Sequence, residues 1–333
     1  GLSATVSNSE EFGDWLSTVR GDTTVIVSEH RPVPLDQWMM LGRKIYPLFE
    51  PESGGQVNAE LERRIQRLEA GDTDDGRADY KSGKGFRARA RHKGGGRSEF
   101  HGKGRGRSGA ARQQDRYRPL GRPEVLKVLQ SQDMLPAITF IFSRAGCDGA
   151  LYQCLRSRMV LTSQEEAQQI KDIVDAGVEG IPEEDLQVLD FKRWREALSR
   201  GFAAHHAGML PAFRHIVEDL FVRGLVRAVF ATETLALGIN MPARTVVLEK
   251  LIKFNGEAHV DLTPGQYTQL TGRAGRRGID TLGNAVVQWA PAMDPRQVAG
   301  LASTRTYPLI STFAPGYNMA INLLGMLGFE ESL

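Results

Sequence analysis

From Pro123 onward the chain alternates short apolar runs with segments of helical length, and no other feature constrains its fold as strongly. Ala137-Ile138-Thr139-Phe140-Ile141-Phe142 is apolar at nearly every position and is bounded by Pro136 and Ser143. A strand with one wet face alternates apolar and polar residues, whereas an uninterrupted run belongs to a strand covered on both faces. Phe202-Ala203-Ala204-His205, Ala228-Val229-Phe230-Ala231, Thr245-Val246-Val247-Leu248 and Ala285-Val286-Val287-Gln288-Trp289 read the same way. Helices are expected at roughly 146–158, across 163–200 with a break near Gly177–Pro182, from Pro211 to about Arg223, and from Pro264. Strands alternating with helices predict an α/β domain, a mostly parallel sheet with helices on both faces.

The first third reads differently. Gly1-Leu2-Ser3-Ala4-Thr5-Val6 looks like the cut end of a buried strand, which predicts a piece of a longer polypeptide. Thr24-Val25-Ile26-Val27 suggests a strand, and the spaced prolines of Arg31-Pro32-Val33-Pro34-Leu35 force an extended path. Val57, Leu61, Ile65 and Leu68 recur at near-helical spacing. Residues 77–118 then carry 14 Lys and Arg, three acids and nine glycines, a charge of +11, while the rest of the chain carries −9. Such a strap cannot bury enough apolar surface to offset its ordering entropy, so disorder is expected. It reads either as a soluble linker or as a sequence-independent nucleic-acid arm, to which Phe86 and Phe100 could add base stacking.

Composition closes off several classes. A chain of 333 residues suggests about two domains. No apolar run reaches membrane-spanning length, and no charged-then-apolar leader opens the sequence. Two cysteines, Cys147 and Cys154, exclude a disulfide scaffold and are expected to be half-buried reduced thiols of a cytoplasmic protein. His205-His206 hints at a metal, but adjacent side chains diverge and no third ligand lies close, so no metal site is expected.

The chemistry concentrates in two strings. Gln269-Leu270-Thr271-Gly272-Arg273-Ala274-Gly275-Arg276-Arg277-Gly278 interleaves arginines with glycines. Guanidinium forks suit phosphate oxygens, and glycines let backbone approach a ligand closely. Upstream, Phe230-Ala231-Thr232-Glu233-Thr234-Leu235-Ala236-Leu237-Gly238-Ile239-Asn240-Met241-Pro242 runs from a buried strand into a polar turn. Ligands of open α/β sheets bind at the carboxyl ends of strands, where Thr232, Glu233 and Asn240 are expected. Neither a G-x-x-x-x-G-K-[ST] phosphate loop nor an Asp-Glu-x-His quartet occurs; Gly83-Lys84 and Gly102-Lys103 are each followed by glycine.

In this order the strings resemble motifs V and VI of superfamily-two helicases, Gln269 to Arg276 matching Q-x-x-G-R-x-G-R in full. Leu2-Ser3-Ala4-Thr5 resembles motif III and Ile141-Phe142-Ser143-Arg144 motif IV. Arg31–Leu35, His206-Ala207-Gly208-Met209-Leu210-Pro211, Asn240-Met241-Pro242-Ala243 and Tyr317–Leu324 are similar in wording to the superkiller/exosome-associated DExH-box RNA helicases, especially their actinobacterial members.

The resemblance implies a RecA-like second helicase domain over 123–305. Before it would come the end of a first RecA-like domain and a connector (1–50), then a helical stretch and basic linker (51–122); a winged-helix start (306–333) would follow. It implies ATP and Mg²⁺, with the metal ligands upstream of this chain, and 3′-to-5′ movement on nucleic acid, RNA rather than DNA. RNA-degradation machinery is the implied partner. Arg273, Arg276 and Gln269 take the catalytic positions. Gly238, Glu233, Asn240 and Gly272 fall at nucleotide-coupling positions, and Ser3, Ala4 and Thr5 at motif III. Ser143, Arg144, Thr232, His206 and Gly208 fall at nucleic-acid positions. The fragment alone should lack ATPase activity. The alternatives are a binding scaffold without turnover and a DNA-acting helicase; the paired Arg273 and Arg276 weigh against a scaffold.

Overall fold

A computed structural model describes residues 9–26, 31–51, 55–70, 117–236, 239–254, 257–304 and 316–327. The chain divides into two units, one of residues 30–304 and one formed by 1–29 with 305–333.

The larger unit is built on a seven-stranded sheet in the order β2-β1-β9-β6-β3-β5-β4. Its strands are β1 (Leu35–Leu41), β2 (Lys44–Pro47), β3 (Ala137–Phe140), β4 (Phe202–His205), β5 (Ala228–Ala231), β6 (Thr245–Leu248) and β9 (Gly283–Gln288). Every pairing is parallel except the β1–β2 hairpin at one edge. This is the RecA-like α/β sheet that the sequence implies.

Period-two alternation sorts the strand side chains into two cores. Met39, Ile138, Phe140, Val229, Val246 and Val287 face one core, and Met40, Phe202, Phe230, Val247 and Val286 face the other. The first is covered by helices α2 (Ala59–Glu69), α5 (Gln164–Gly177), α8 (Pro211–Val222), α9 (Pro264–Thr271) and α10 (Pro295–Ser303). The second is covered by α3 (Arg122–Ser131) and α4 (Arg144–Arg156). The expected break between 163 and 200 is present as α5, α6 (Glu183–Val188) and α7 (Phe191–Ser199).

The structure departs from the sequence expectations in three places. Residues 35–47, read as connector, add two strands to the sheet, because Met39, Met40 and Leu41 bury on both of its faces. The helix expected from the spacing of Val57, Leu61, Ile65 and Leu68 is present as α2, and its Leu61, Ile65 and Leu68 are buried in the first core. Thr24 to Ile26 form no strand, and Val27 lies outside the described residues. Cys147 and Cys154 are fully rather than half buried, and burial pushes both thiols up to about 12.

Most of the basic strap lies outside the described residues. Its last residues do not: the Tyr117 hydroxyl accepts from the Gly42 amide at 3.0 Å, and its ring meets Trp289 edge-on at 4.7 Å. Both α2, ahead of the strap, and Tyr117, at its end, therefore pack on the sheet unit. The smaller unit contributes α1 (Ser9–Arg20) and α11 (Tyr317–Leu327), the latter within the expected winged-helix start. Among the described residues no helix is long and apolar enough to cross a membrane.

Candidate functional site

The sequence-predicted nucleic-acid residues gather at the carboxyl ends of three neighbouring strands, β3, β5 and β4. Ser143 leaves β3 and caps α4, its hydroxyl accepting from the Gly146 amide at 3.2 Å. Ser143 and Arg144 are exposed at that helix start. His206 follows β4 and is buried. Its Nδ1 accepts from the Gly208 amide at 3.2 Å, so Nε2 carries the proton and donates to Asp148 Oδ1 at 3.0 Å. Thr232 follows β5; its amide donates to the His205 carbonyl at 3.2 Å, and its hydroxyl lies 2.9 Å from that of Thr234. The adjacent His205 faces the other way, with Nε2 2.9 Å from Glu218 Oε1. Burial holds its pKa below the usual histidine value. The two imidazoles diverge as expected, and no group of three possible metal ligands occurs among the described residues.

The arginine-rich string sits at the opposite end of the sheet. Helix α9 starts at Pro264 behind a capping box of Thr263 and Gln266, and it ends at Thr271. Gln269 is half-buried on its last turn, and Gly272 is the exposed cap. Tyr267 anchors the helix, its hydroxyl donating to Gln37 Oε1 at 2.7 Å. The loop beyond is woven into the segment before β6. The Ala243 amide donates to the Arg273 carbonyl at 2.9 Å, and the Gly275 amide to the Ala243 carbonyl at 2.7 Å. Gly275 has φ +90°, and a Cβ there would lie 2.7 Å from Val33 Cγ1. A Cβ on Gly283 would lie 2.7 Å from the Ala274 carbonyl carbon, so both positions need glycine.

Residues 232–243 join the two ends. They leave the carboxyl end of β5 at Thr232, turn through a short 3₁₀ helix (Glu233–Ala236), and reach the amino end of β6 at Ala243. The Arg273 guanidinium donates to the Ala236 and Ile239 carbonyls on this path. Asn240 is exposed on the segment between the 3₁₀ helix and Ala243. Glu233 Oε2 pairs with Lys253 Nζ at 2.7 Å, which ties the path to a separate hairpin of β7 (Ile252–Phe254) and β8 (His259–Asp261). Ser3, Ala4, Thr5 and Gly238 lie outside the described residues.

Two partners of the arginine loop are not evident from sequence. Arg31 donates from Nε to the Val33 carbonyl and from Nη2 to the Ala274 carbonyl, both at 2.7 Å. Asp280, with a side chain 1% exposed, accepts from Arg276 Nε and Nη2 at 2.8 Å and from Arg244 Nε at 3.0 Å. The four-residue spacing of Arg276 and Asp280 was the one available signal for the latter pair.

Residues 180–278 match the helicase conserved C-terminal domain. Over 99% of its length the chain is 57% identical to the "Probable helicase HelY" of Mycobacterium tuberculosis, covering 34% of that protein. It is 36% identical to the Arabidopsis thaliana "DExH-box ATP-dependent RNA helicase DExH15 chloroplastic" over 97% of the chain and 27% of the relative. Residues 180–278 thus form a helicase C-terminal domain, and nearly the whole chain is similar to helicases, a DExH-box RNA helicase among them. It is also 30% identical to the human "Exosome RNA helicase MTR4", over 97% of the chain and 28% of that helicase. The chain thus spans about a third of the length of these relatives.

Proposed function

We propose that this chain supplies the arginine half of an ATP-hydrolysing centre in a helicase that moves 3′ to 5′ along RNA. The observation that carries the reading is the path 232–243, which links the carboxyl-end cluster to the loop of Arg273 and Arg276. A change at the nucleotide could reach the nucleic-acid strand through that one covalent segment.

The donor set suits a nucleotide phosphate. Arg276 has five N–H groups; Nε and one on Nη2 are taken by Asp280, and the remaining three have no partner among the described residues. ATP would supply the transferable phosphoryl group, with Mg²⁺ on ligands outside this sequence, in which no G-x-x-x-x-G-K-[ST] string occurs. Arg276 then offsets developing charge, and Gln269 stands on the last turn of the helix that leads into the Arg276 loop. Arg273 fixes the coupling path by holding the Ala236 and Ile239 carbonyls. Ser143, Arg144, Thr232, His206 and Gly208 form the strand-binding end. RNA over DNA is supported by the names of the plant and human relatives; the basic strap supports nucleic acid in general, and the human name also suggests RNA-degradation machinery as partner. The buried free thiols suit a reducing cytoplasm.

The test is Arg276→Ala in the full-length protein. Turnover should fall by ~10³-fold or more while RNA binding stays within about twofold. Near-normal kcat, or loss of RNA binding instead, would overturn the reading. Arg276→Lys should rescue poorly, because an ammonium lacks the planar fork.

A further inference from the structure

An arginine that meets charge only in a transition state must be aimed before the charge appears, and the structure shows what aims Arg276. Asp280 Oδ2 accepts from the Arg276 backbone amide at 2.9 Å and from its Nε at 2.8 Å. Oδ1 accepts from Arg276 Nη2 at 2.8 Å and from Arg244 Nε at 3.0 Å. All four lone-pair positions of the carboxylate are filled. The Asp280 amide returns a bond to the Arg276 carbonyl at 2.9 Å, closing the loop on itself.

Asp280 is itself immobilised. Its side chain is 1% exposed, and Arg244 is in turn held by the Asp133 carbonyl and Oδ2, both at 2.7 Å. The bidentate contact takes the Nε/Nη2 edge of the guanidinium, which fixes its plane. The Nη1 side is left uncommitted, and the Arg276 side chain remains 20% exposed.

We infer that Asp280 is a positioning residue for Arg276: it occupies the inner edge of the guanidinium so that the outer edge is presented, already oriented, to a phosphate oxygen. The inference rests on the proposed role of Arg276 and adds a residue that touches neither nucleotide nor nucleic acid. Holding the donor in place lowers the cost of organising it during the reaction.

The experiment is a double-mutant cycle in the full-length protein, with ATP hydrolysis measured on single-stranded RNA. Asp280→Asn keeps the shape but turns one acceptor into a donor facing Arg276. It should lower kcat by about 10- to 100-fold, with KM for ATP and RNA affinity within about threefold. In an Arg276→Ala background the same change should cost less than about twofold, since nothing is left to aim. Asp280→Glu keeps the charge on a longer arm and should fall between wild type and Asp280→Asn; it also reads the effect if the Asn variant folds poorly. Equal losses in both backgrounds, or a rise in KM matching the fall in kcat, would overturn the inference. If Arg276→Ala retains turnover, the role of Arg276 itself fails. If Arg276→Ala is inactive while both Asp280 variants keep normal kcat, only the positioning role of Asp280 fails.

Discussion

Arg31 Nη2 donates to the Ala274 carbonyl at 2.7 Å across 243 residues of sequence, so the start of the sheet unit holds the arginine loop near its end. The same side chain grips its own segment through the Val33 carbonyl. Arg31→Met should therefore lower stability by about 1 kcal/mol, the usual net worth of a hydrogen bond. In a domain of this size that is a fall of about 2–4 °C in Tm. Turnover should drop by about fivefold through the displaced loop, with RNA binding unchanged. Unfolding scans beside ATPase assays decide it; unchanged turnover would mean that Arg31 only staples the chain.

Residues 1–333 alone should show no ATPase activity, with or without RNA, because they contain no G-x-x-x-x-G-K-[ST] sequence to cradle the phosphates. Measurable RNA-stimulated hydrolysis by this chain would refute a centre shared with an upstream segment.

Deleting 77–116 should weaken RNA binding most at low salt. On a single strand, the slope of log K against log salt should flatten by about 0.7 for each phosphate that the strap had neutralised. The motivation is the +11 charge of residues 77–118 on an otherwise acidic chain. The deletion lies between α2 and Tyr117, which stay packed on the sheet unit, so the fold should survive. An unchanged slope would make the strap a linker.

Burial depresses the pKa of His205, and its bond to Glu218 only partly offsets that. The folded state thus favours the neutral ring, and the unfolded chain takes up the proton first as pH falls. Stability from this site is full above the ordinary histidine pKa of about 6.5 and is lost below it. Tm between pH 7.5 and 5.5 should fall more steeply for wild type than for His205→Gln. A wild-type slope no steeper than the variant's would contradict the assignment.

The RecA-like core was legible because five of its strands are written as largely apolar runs, and Ala137–Phe142 reads as a strand covered on both faces. Strand β1 was not, because Asp36 and Gln37 interrupt its apolar pattern before Met39, Met40 and Leu41; only pairing with β9 identifies it. The arginine loop was legible from its own residues. Asp280 and Arg31 were not: a four-residue spacing alone does not show that Asp280 faces Arg276 with Arg244 converging from 36 residues away, and Arg31 reaches Ala274 across 243 residues.

The pairing of Leu35–Met40 with Gly283–Gln288 also governs how the protein can be cut. A fragment expressed from residue 51 would keep every recognisable helicase string from motif IV to motif VI, yet it would strip the partner from β9. The row of N–H and C=O groups laid bare there is a template for any passing strand, which favours clumping over folding. It would also lose Met39, Leu41 and Leu48 from the hydrophobic interior and Arg31 from the arginine loop. The usable boundary for dissecting this protein therefore lies ahead of Arg31, some 90 residues upstream of where the alternating pattern first becomes visible.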